Sequence, residues 1–366
     1  MPTITITTTT HRQRLLALLT SSLFLAVIAL FILRQDRAST PPPASASPRQ
    51  MDFAVFNTLC RLSVWSLPPA QSETLFAELN HQLRLLHDCI NAYDPKSELS
   101  ALNRNAAIAP VTCSPMLWDV LMSAREAWQV SDGAFDVTIG PLMQLWGFHE
   151  KQQAAPSQNE IQATCQKVGL DKVHFDEQQR SVFFSVPGMR IDFGGIAKGY
   201  ALDLATKILA QHDANIFLLD LGGNIACSAT PPPGRDAFTI GIRNPLAENT
   251  LLGTMPLRGR FVATSGNYER YRVIDGKRVG HIMDPRSGQP STYFDGVSVV
   301  TTSGLLSDVF STAAFIGNQV LAKALCERFP GTGFIFVTQD PQDQPLVEYI
   351  GDLPPLKRQN GPSVVD

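Results

Sequence analysis

The sequence lacks the signatures of several large protein classes. It contains no C-x-x-C pair, no G-x-x-x-x-G-K-[ST] loop and no G-x-G-x-x-G turn. It therefore predicts no zinc or thiol redox site, no P-loop and no dinucleotide fingerprint. Charged residues make up 17% of the chain, and the net charge of −3 comes without any basic run or stripe. We therefore predict no nucleic-acid partner.

Paired cysteines are not required by the sequence either. The six cysteines are scattered along the 366 residues. A chain of this length suits one large domain or two closely joined ones, and it can bury a sizeable core without disulfides. We predict mostly buried thiols.

One long hydrophobic run is present near the N-terminus. Residues 15–33 are uncharged and numerous enough to cross a bilayer, whereas the apolar part of a cleaved secretory signal, the alternative, usually has about 7–15 residues. We predict an uncleaved transmembrane helix that follows a cytoplasmic segment, residues 1–14. Basic residues before the run favour this orientation. The protein is then a single-pass protein of the inner membrane, with its body facing the periplasm or the cell exterior.

The body is separated from this helix by a Pro/Ser-rich linker, residues 34–50. We predict one folded domain over residues 51–353 and a loose C-terminal tail over residues 354–366. Apolar positions at helical spacing predict a helix from Ser72 to Ile90, and Ser114 followed by proline predicts the start of another. Short apolar runs that predict strands are mixed with these helices without regular βαβ alternation, so the fold class is α+β.

The most informative stretch is residues 190–203, which include Asp-Phe-Gly-Gly-Ile-Ala-Lys. It predicts a glycine turn between a strand and an amphipathic helix. Gly194 and Gly195 let a ligand lie directly on the backbone, and the N–H groups that open the helix favour an anion. Lys198 gains nothing from the helix dipole in the first turn, so an anionic partner explains it better. The stretch indicates phosphate.

Asp308 and Thr312 give a second chemical indication. At positions i and i+4 of a predicted helix they share one face, and both offer the oxygen ligands that Mg²⁺ or Ca²⁺ prefers. The structural alternatives are that Asp308 caps its helix and that Thr312 hydrogen-bonds back to a carbonyl.

Taken together, ordered motifs over residues 52–339 resemble the ApbE family of flavin transferases. The segments that carry the resemblance are Gly133-Ala-Phe-Asp136, Asp192-Phe-Gly-Gly-Ile-Ala-Lys198, Asp220-Leu-Gly-Gly-Asn224, Ala263-Thr-Ser-Gly266, His281-Ile-Met-Asp-Pro285 and Asp308-x-x-Ser-Thr312. The resemblance implies mixed, largely antiparallel sheets with packed helices, an ApbE-like and T-fold-like arrangement.

The resemblance also implies a function. Family members are Mg²⁺-dependent FAD:protein FMN transferases, which move the FMN half of FAD to a threonine hydroxyl of an exported or membrane redox protein and release AMP. The acceptor would be a flavoprotein subunit with a target threonine. The alternatives are an FAD pyrophosphatase that gives FMN and AMP, and a non-enzymatic FAD-binding protein.

Site residues follow from the same resemblance. It places the metal on the Gly195 carbonyl, Asp308 and Thr312, and FAD on Phe56, Tyr93, Ala134, Phe135, Asp136, Asp192, Lys198 and Ile282. Asp136 and Asp192, as aspartates beside turns, have structural roles as the alternative. The catalytic residues are His281, Asp308 and Lys198. His281 suits the removal of the threonine proton because the pKa of histidine is near neutral; Asp308 could act instead through a metal-bound water, and a purely structural His281 is a further alternative.

Two departures from the family pattern stand near these residues. Family members often carry two successive histidines where Gly280 and His281 stand in this chain, and they often carry Met-Gly-Thr where Phe56-Asn57-Thr58 stands.

Overall fold

The computed structural model describes residues 47–148 and 154–358. The predicted cytoplasmic segment and transmembrane helix, most of the linker and the end of the tail lie outside the described residues.

The central element is an eight-stranded sheet in which each neighbouring pair runs antiparallel. Its spatial order is β1-β2-β6-β7-β10-β13-β14-β15, and the strands are β1 (Arg49–Val55), β2 (Thr58–Val64), β6 (Phe217–Leu221), β7 (Asn224–Cys227), β10 (Arg260–Gly266), β13 (Gly296–Thr301), β14 (Gly333–Gln339) and β15 (Pro345–Gly351). Smaller sheets are formed by β3 (Val111–Thr112), β4 (Val173–Asp176) and β5 (Ser181–Phe184), by β8 (Phe238–Arg243), β9 (Leu251–Leu257) and β16 (Lys357–Arg358), and by the hairpin of β11 (Tyr271–Ile274) and β12 (Lys277–Gly280).

The described residues form seven α-helices, and the first, sixth and seventh of them pack against one face of the large sheet. The seven helices are α1 (Pro69–Ile90), α2 (Glu98–Asn105), α3 (Pro115–Val130), α4 (Gly140–Leu145), α5 (Gln158–Cys165), α6 (Ala197–Gln211) and α7 (Gly304–Arg328). Because side chains alternate along a strand, successive residues join different cores. Val299 packs in the cluster that contains residues of α1, α6 and α7, and Val300 packs with residues of β8 and β9. The sheet is therefore buried on both faces, and the predicted α+β class with largely antiparallel sheets is confirmed.

Helix α7, which carries Asp308 and Thr312, begins at Gly304. The carboxylate of Asp203 accepts hydrogen bonds from the N–H groups of Gly304 and Leu305, at 2.6 and 2.9 Å, and Ser303 caps the helix. A break at Asn318, where φ is 64°, divides α7 into two helical segments, and the second begins at Gln319. Among the described residues α7 alone is long and apolar enough to span a membrane, but half of that apolar window is buried inside the body.

Several predicted boundaries differ from the structure. Helix α1 begins at Pro69, three residues before the predicted cap, and the Ser72 hydroxyl donates to the Pro68 carbonyl. At the domain ends, β1 begins inside the predicted linker, and β16 adds to β9 within the predicted loose tail. Backbone pairing orders both segments, although their composition is polar and proline-rich. The six cysteines are free thiols, and the predicted burial is confirmed for three of them while the other three are half-buried. Burial raises the pKa of Cys60 to about 11.

The two glycines of the turn between β6 and β7 allow the cost of a steric clash to be separated from the cost of backbone strain. Gly222 and Gly223 both have positive φ, at 64° and 93°. A Cβ on Gly222 would lie 2.1 Å from Thr58 Oγ1, whereas a Cβ on Gly223 would meet no atom within 4 Å. We expect Gly223→Ala to lower the free energy of unfolding by about 1 kcal/mol, and Gly222→Ala to lower it by about 1–3 kcal/mol more. Equal losses in chemical denaturation would show that the contact with Thr58 relaxes without cost.

Candidate active site

A cavity of about 700 Å³ opens where the β1–β2 and β6–β7 turns meet the first turns of α6 and α7. This volume is typical of small-molecule sites, which range over about 300–1,000 Å³. Its wall includes every residue that the sequence assigns to the site: Phe56, Tyr93, Ala134, Phe135, Asp136, Asp192, Gly195, Lys198, His281, Ile282, Asp308 and Thr312. The structure thus brings the predicted residues together, and their individual roles remain predictions.

The crossing of α6 and α7 fixes the position of Asp308. The N–H of Gly199 donates to Asp308 Oδ2 at 2.8 Å. A Cβ on Gly199 would lie 2.5 Å from both the Gly304 carbonyl oxygen and Asp308 Cβ, so this approach requires glycine. Asp308 therefore bonds to the neighbouring helix rather than capping its own, and among the described residues its Oδ1 has no hydrogen-bond donor.

The oxygen atoms of Asp308 and its neighbours are suitable ligands for a hard cation. Ser265 Oγ lies 3.2 Å from Thr312 Oγ1, so Thr312 pairs with a neighbouring strand instead of a carbonyl of its own helix. A Cβ on Gly195 would lie 3.3 Å from that same Thr312 oxygen, which shows that backbone and hydroxyl approach each other. The described residues contain no group of three or more His, Cys, Asp or Glu side chains that could hold a metal. A set with one carboxylate, one hydroxyl and one carbonyl fits Mg²⁺, which keeps several of its positions for water and phosphate oxygens.

Two aspartates hold the loops of the cavity wall. Asp136 Oδ1 accepts from the Thr138 N–H and hydroxyl, at 2.7 and 2.6 Å, and its Oδ2 accepts from the Leu170 N–H at 3.0 Å. These bonds favour the structural role for Asp136 that the sequence left open as an alternative. Asp192 Oδ1 accepts from the Gly194 N–H at 2.8 Å and so shapes the glycine turn.

Aromatic rings form the opposite side of the cavity. The guanidinium of Arg270 lies over the rings of Tyr93 and Phe148, at 5.2 and 5.6 Å from their centroids, and donates to the Phe148 carbonyl at 2.6 Å. Phe56 packs edge-to-face on His87 and, with Asn57, forms a two-residue turn in which both φ values are positive. A planar ring could stack on such a surface.

His281 has a defined tautomer. Its Nδ1 lies 3.0 Å from the Arg270 carbonyl oxygen. A carbonyl can only accept, so Nδ1 carries the hydrogen and Nε2 of the neutral ring is left as an acceptor. The ring is half-buried by surface area, yet enough protein surrounds it that burial, followed by the charge on Arg270, lowers the pKa of His281 to about 4. His281 is therefore neutral at neutral pH, and the near-neutral pKa on which the sequence assignment of His281 rested is wrong.

Sequence reasoning missed three charged residues of the cavity wall: Arg243, Glu269 and Arg270. Arg243 ends β8, a strand of the smaller sheet, and the other two follow β10. Their types are common on any surface, so no spacing or composition signal distinguished them. The Tyr-Glu-Arg that follows the Thr-Ser-Gly motif was the nearest available indication.

Comparison with known proteins agrees with this geometry. The model of the ApbE family matches residues 56–336. An FAD:protein FMN transferase of Klebsiella pneumoniae is 35% identical over 276 residues, which cover 74% of this chain and 84% of the relative. The FAD:protein FMN transferase of Escherichia coli K12 is 26% identical, over 86% and 92% of the two chains.

A solved structure shows the same fold. The crystal structure of the ApbE protein from Thermotoga maritima superposes with a TM-score of 0.72 at 28% sequence identity, covering 79% of this chain and 94% of that one. The family match, the curated relatives and this structural similarity agree with one another. The chain therefore belongs to the ApbE family, and the relatives that match it are FAD:protein FMN transferases.

Proposed function

We propose that this protein is a Mg²⁺-dependent transferase that moves the FMN half of FAD to a threonine hydroxyl of another protein. The observation that carries the proposal is the single cavity whose wall holds every residue assigned to FAD, to the metal and to catalysis. Family membership supports the transfer reaction. We propose the metal, the target threonine and the acceptor in addition to the transfer reaction.

Binding of FAD would use the two ends of the cavity differently. Tyr93 and Phe148 offer ring surfaces for the flavin or the adenine. Lys198, in the first turn of α6, would contact the diphosphate with its side chain. The N–H groups of Ala197 and Gly199 already donate to the Phe193 carbonyl and to Asp308, so they do not form the anion site that the sequence predicted. Gly195, Asp308 and Thr312 would hold Mg²⁺, whose positive charge neutralises the diphosphate oxygens when it is bound.

The chain supplies a proton acceptor for the attacking hydroxyl. We assign this role to His281 Nε2, because the bond from Nδ1 to the Arg270 carbonyl holds the ring with Nε2 unprotonated. The threonine Oγ gives its proton to Nε2 and forms a bond to the FMN phosphorus. The bond from that phosphorus to the bridging oxygen breaks, and AMP leaves with the electron pair. Asp308 remains the alternative proton acceptor.

We further propose that the body works outside the cytoplasm, held to the inner membrane by residues 15–33, as the apolar run suggests. Residues 34–48 would then be the spacer, since β1 begins at Arg49. The acceptor would be an exported or membrane redox subunit.

The experiment that tests the function incubates the full chain with FAD, Mg²⁺ and an exported flavoprotein subunit. In-gel flavin fluorescence and intact mass would then be measured. We expect a fluorescent acceptor that is heavier by one FMN phosphoryl unit, together with free AMP. Free FMN and AMP beside an unmodified acceptor would favour the pyrophosphatase, once a second acceptor has been tried. Intact bound FAD would favour a binding protein.

A substitution at Asp308 tests the metal. We expect Asp308→Asn to lower the rate of AMP release at least about 100-fold, since one charged metal ligand contributes several kcal/mol to the transition state. Chelation of Mg²⁺ should have the same effect in the wild type and should be reversed by added Mg²⁺. Asp213→Asn is the matched control, because Asp213 is exposed and its φ of 56° suits asparagine. Full activity of Asp308→Asn would remove Asp308 from the metal site.

The lowered pKa of His281 predicts a pH dependence of stability. The unfolded chain binds the imidazole proton near pH 6.5, and the folded protein binds it only near pH 4. The free energy of unfolding should therefore fall as the pH falls from about 6.5 to about 4, and His281→Gln should lose less over this interval than the wild type. Chemical denaturation across that pH range measures both. Parallel losses in the two proteins would show that His281 keeps its ordinary pKa.

A further inference from the structure

The hairpin of β11 and β12 stands between two residues of the active site. Arg270 immediately precedes Tyr271, the first residue of β11, and His281 immediately follows Gly280, the last residue of β12. Both flanking residues line the cavity. The hairpin pairs with no other strand among the described residues, so it is a separate two-stranded element at the edge of the site.

One face of this hairpin packs against the body up to the turn, although an isolated two-stranded hairpin is marginally stable in water. Ile274 is 3% exposed and belongs to a cluster of buried residues with Trp146 and Met283. Hydrogen bonds from Arg270 to the Phe148 carbonyl and from Arg272 to the Gly147 carbonyl join the start of β11 to the segment after α4, while Ile274 is buried at the end of β11, beside the turn. The hairpin can therefore present its outer face in one orientation.

The outer face carries residue types that contribute strongly to protein interfaces. Tyr271 is 40% exposed and Val273 is 61% exposed, and Val273 pairs across the hairpin with Arg278. The guanidinium of Arg278 lies 4.6 Å from the centroid of the Tyr271 ring. Tyrosine and arginine are enriched among the residues that dominate binding energy. Neither Val273 nor Arg278 lines the cavity, so the face is available when FAD is bound.

The charge of the hairpin is opposite to that of the whole chain. The hairpin has three cations and one acid, Asp275; Lys277 and Arg278 are exposed, whereas Arg272 bonds to the Gly147 carbonyl, and the whole chain has a net charge of −3. Complementary charge steers association and fixes the register of a partner. A partner with acidic side chains fits this face best.

We propose that the outer face of the β11–β12 hairpin, formed by Tyr271, Val273 and Arg278, is the docking surface for an acceptor protein that carries acidic side chains near its target threonine. The proposal rests on the proposed transferase function. Its geometric basis is continuity, because a protein seated on this face lies beside His281, the residue to which we assign the threonine proton.

Two exposed substitutions test the surface. We expect Val273→Asp and Arg278→Glu each to raise the KM for the acceptor subunit at least about 10-fold, equivalent to about 1.4 kcal/mol. The kcat, the Kd for FAD and the Tm should stay unchanged, because neither side chain lines the cavity. The wild-type KM should rise with added NaCl, and the KM of Arg278→Glu should respond less.

Matched controls are available elsewhere on the body. Val320 is 76% exposed, and Lys207 is an exposed cation on α6; neither lines the cavity. Val320→Asp and Lys207→Glu should leave the acceptor KM unchanged. A KM increase in these controls equal to that of the hairpin variants would overturn the proposal, because it would show a general effect of net charge.

The outcomes also separate this proposal from the proposed function. If the wild type modifies no acceptor, the transferase function fails. If the wild type modifies the acceptor and both hairpin variants retain its KM, the docking surface alone is overturned. In that case, if the wild type is a dimer by light scattering and the hairpin variants are not, the face would be assigned to a second copy of this chain. If the wild type cosediments with phosphatidylglycerol vesicles and the hairpin variants do not, the face would instead be assigned to the membrane.

Discussion

Helices α6 and α7 cross at a point where no side chain separates their backbones. A Cβ on Gly199 would lie 2.5 Å from the Gly304 carbonyl oxygen, and a Cβ on Gly304 would lie 2.7 Å from the Gly199 carbonyl oxygen. This contact lets the Gly199 N–H reach Asp308. The same crossing buries the start of α7 in the core and presents Lys198 and Asp308 to the cavity, so core packing and site geometry depend on one approach between two glycines.

The site is assembled from segments that are far apart in the chain. The large sheet is covered on both faces, by helices on one and by β8 and β9 on the other, so ligand access is confined to the turns at its end. Asp136 and Asp192 use their carboxylates to shape two of these turns. Burial raises the pKa of Asp136 while hydrogen bonds from Thr138 and Leu170 oppose that rise. Much of the polar chemistry of the wall is therefore structural support.

Much of this could be read from the sequence, because the informative features are local. The glycine turn before α6, the Ser114 cap of α3 and the strand over Gly296–Thr301 each have a short-range signal. The motifs predicted cavity residues because each of the six motifs contributes at least one residue to the cavity wall. Long-range features were not predictable: Asp203 caps α7 from about 100 residues away, and β16 is ordered by β9. Arg270 was missed for the same reason, since its partners Tyr93 and Phe148 come from distant segments.

The turn between β1 and β2 has a consequence for engineering. Phe56 holds a left-handed backbone conformation, at φ 52°, which costs a residue with a side chain roughly 1–2 kcal/mol. Glycine or asparagine would fit the turn better, yet neither provides an aromatic ring for the cavity wall. Selection of variants for thermal stability alone would therefore replace Phe56 by glycine or asparagine and remove an aromatic ring from the cavity wall. A screen on this scaffold needs to score flavin chemistry and heat resistance in the same round.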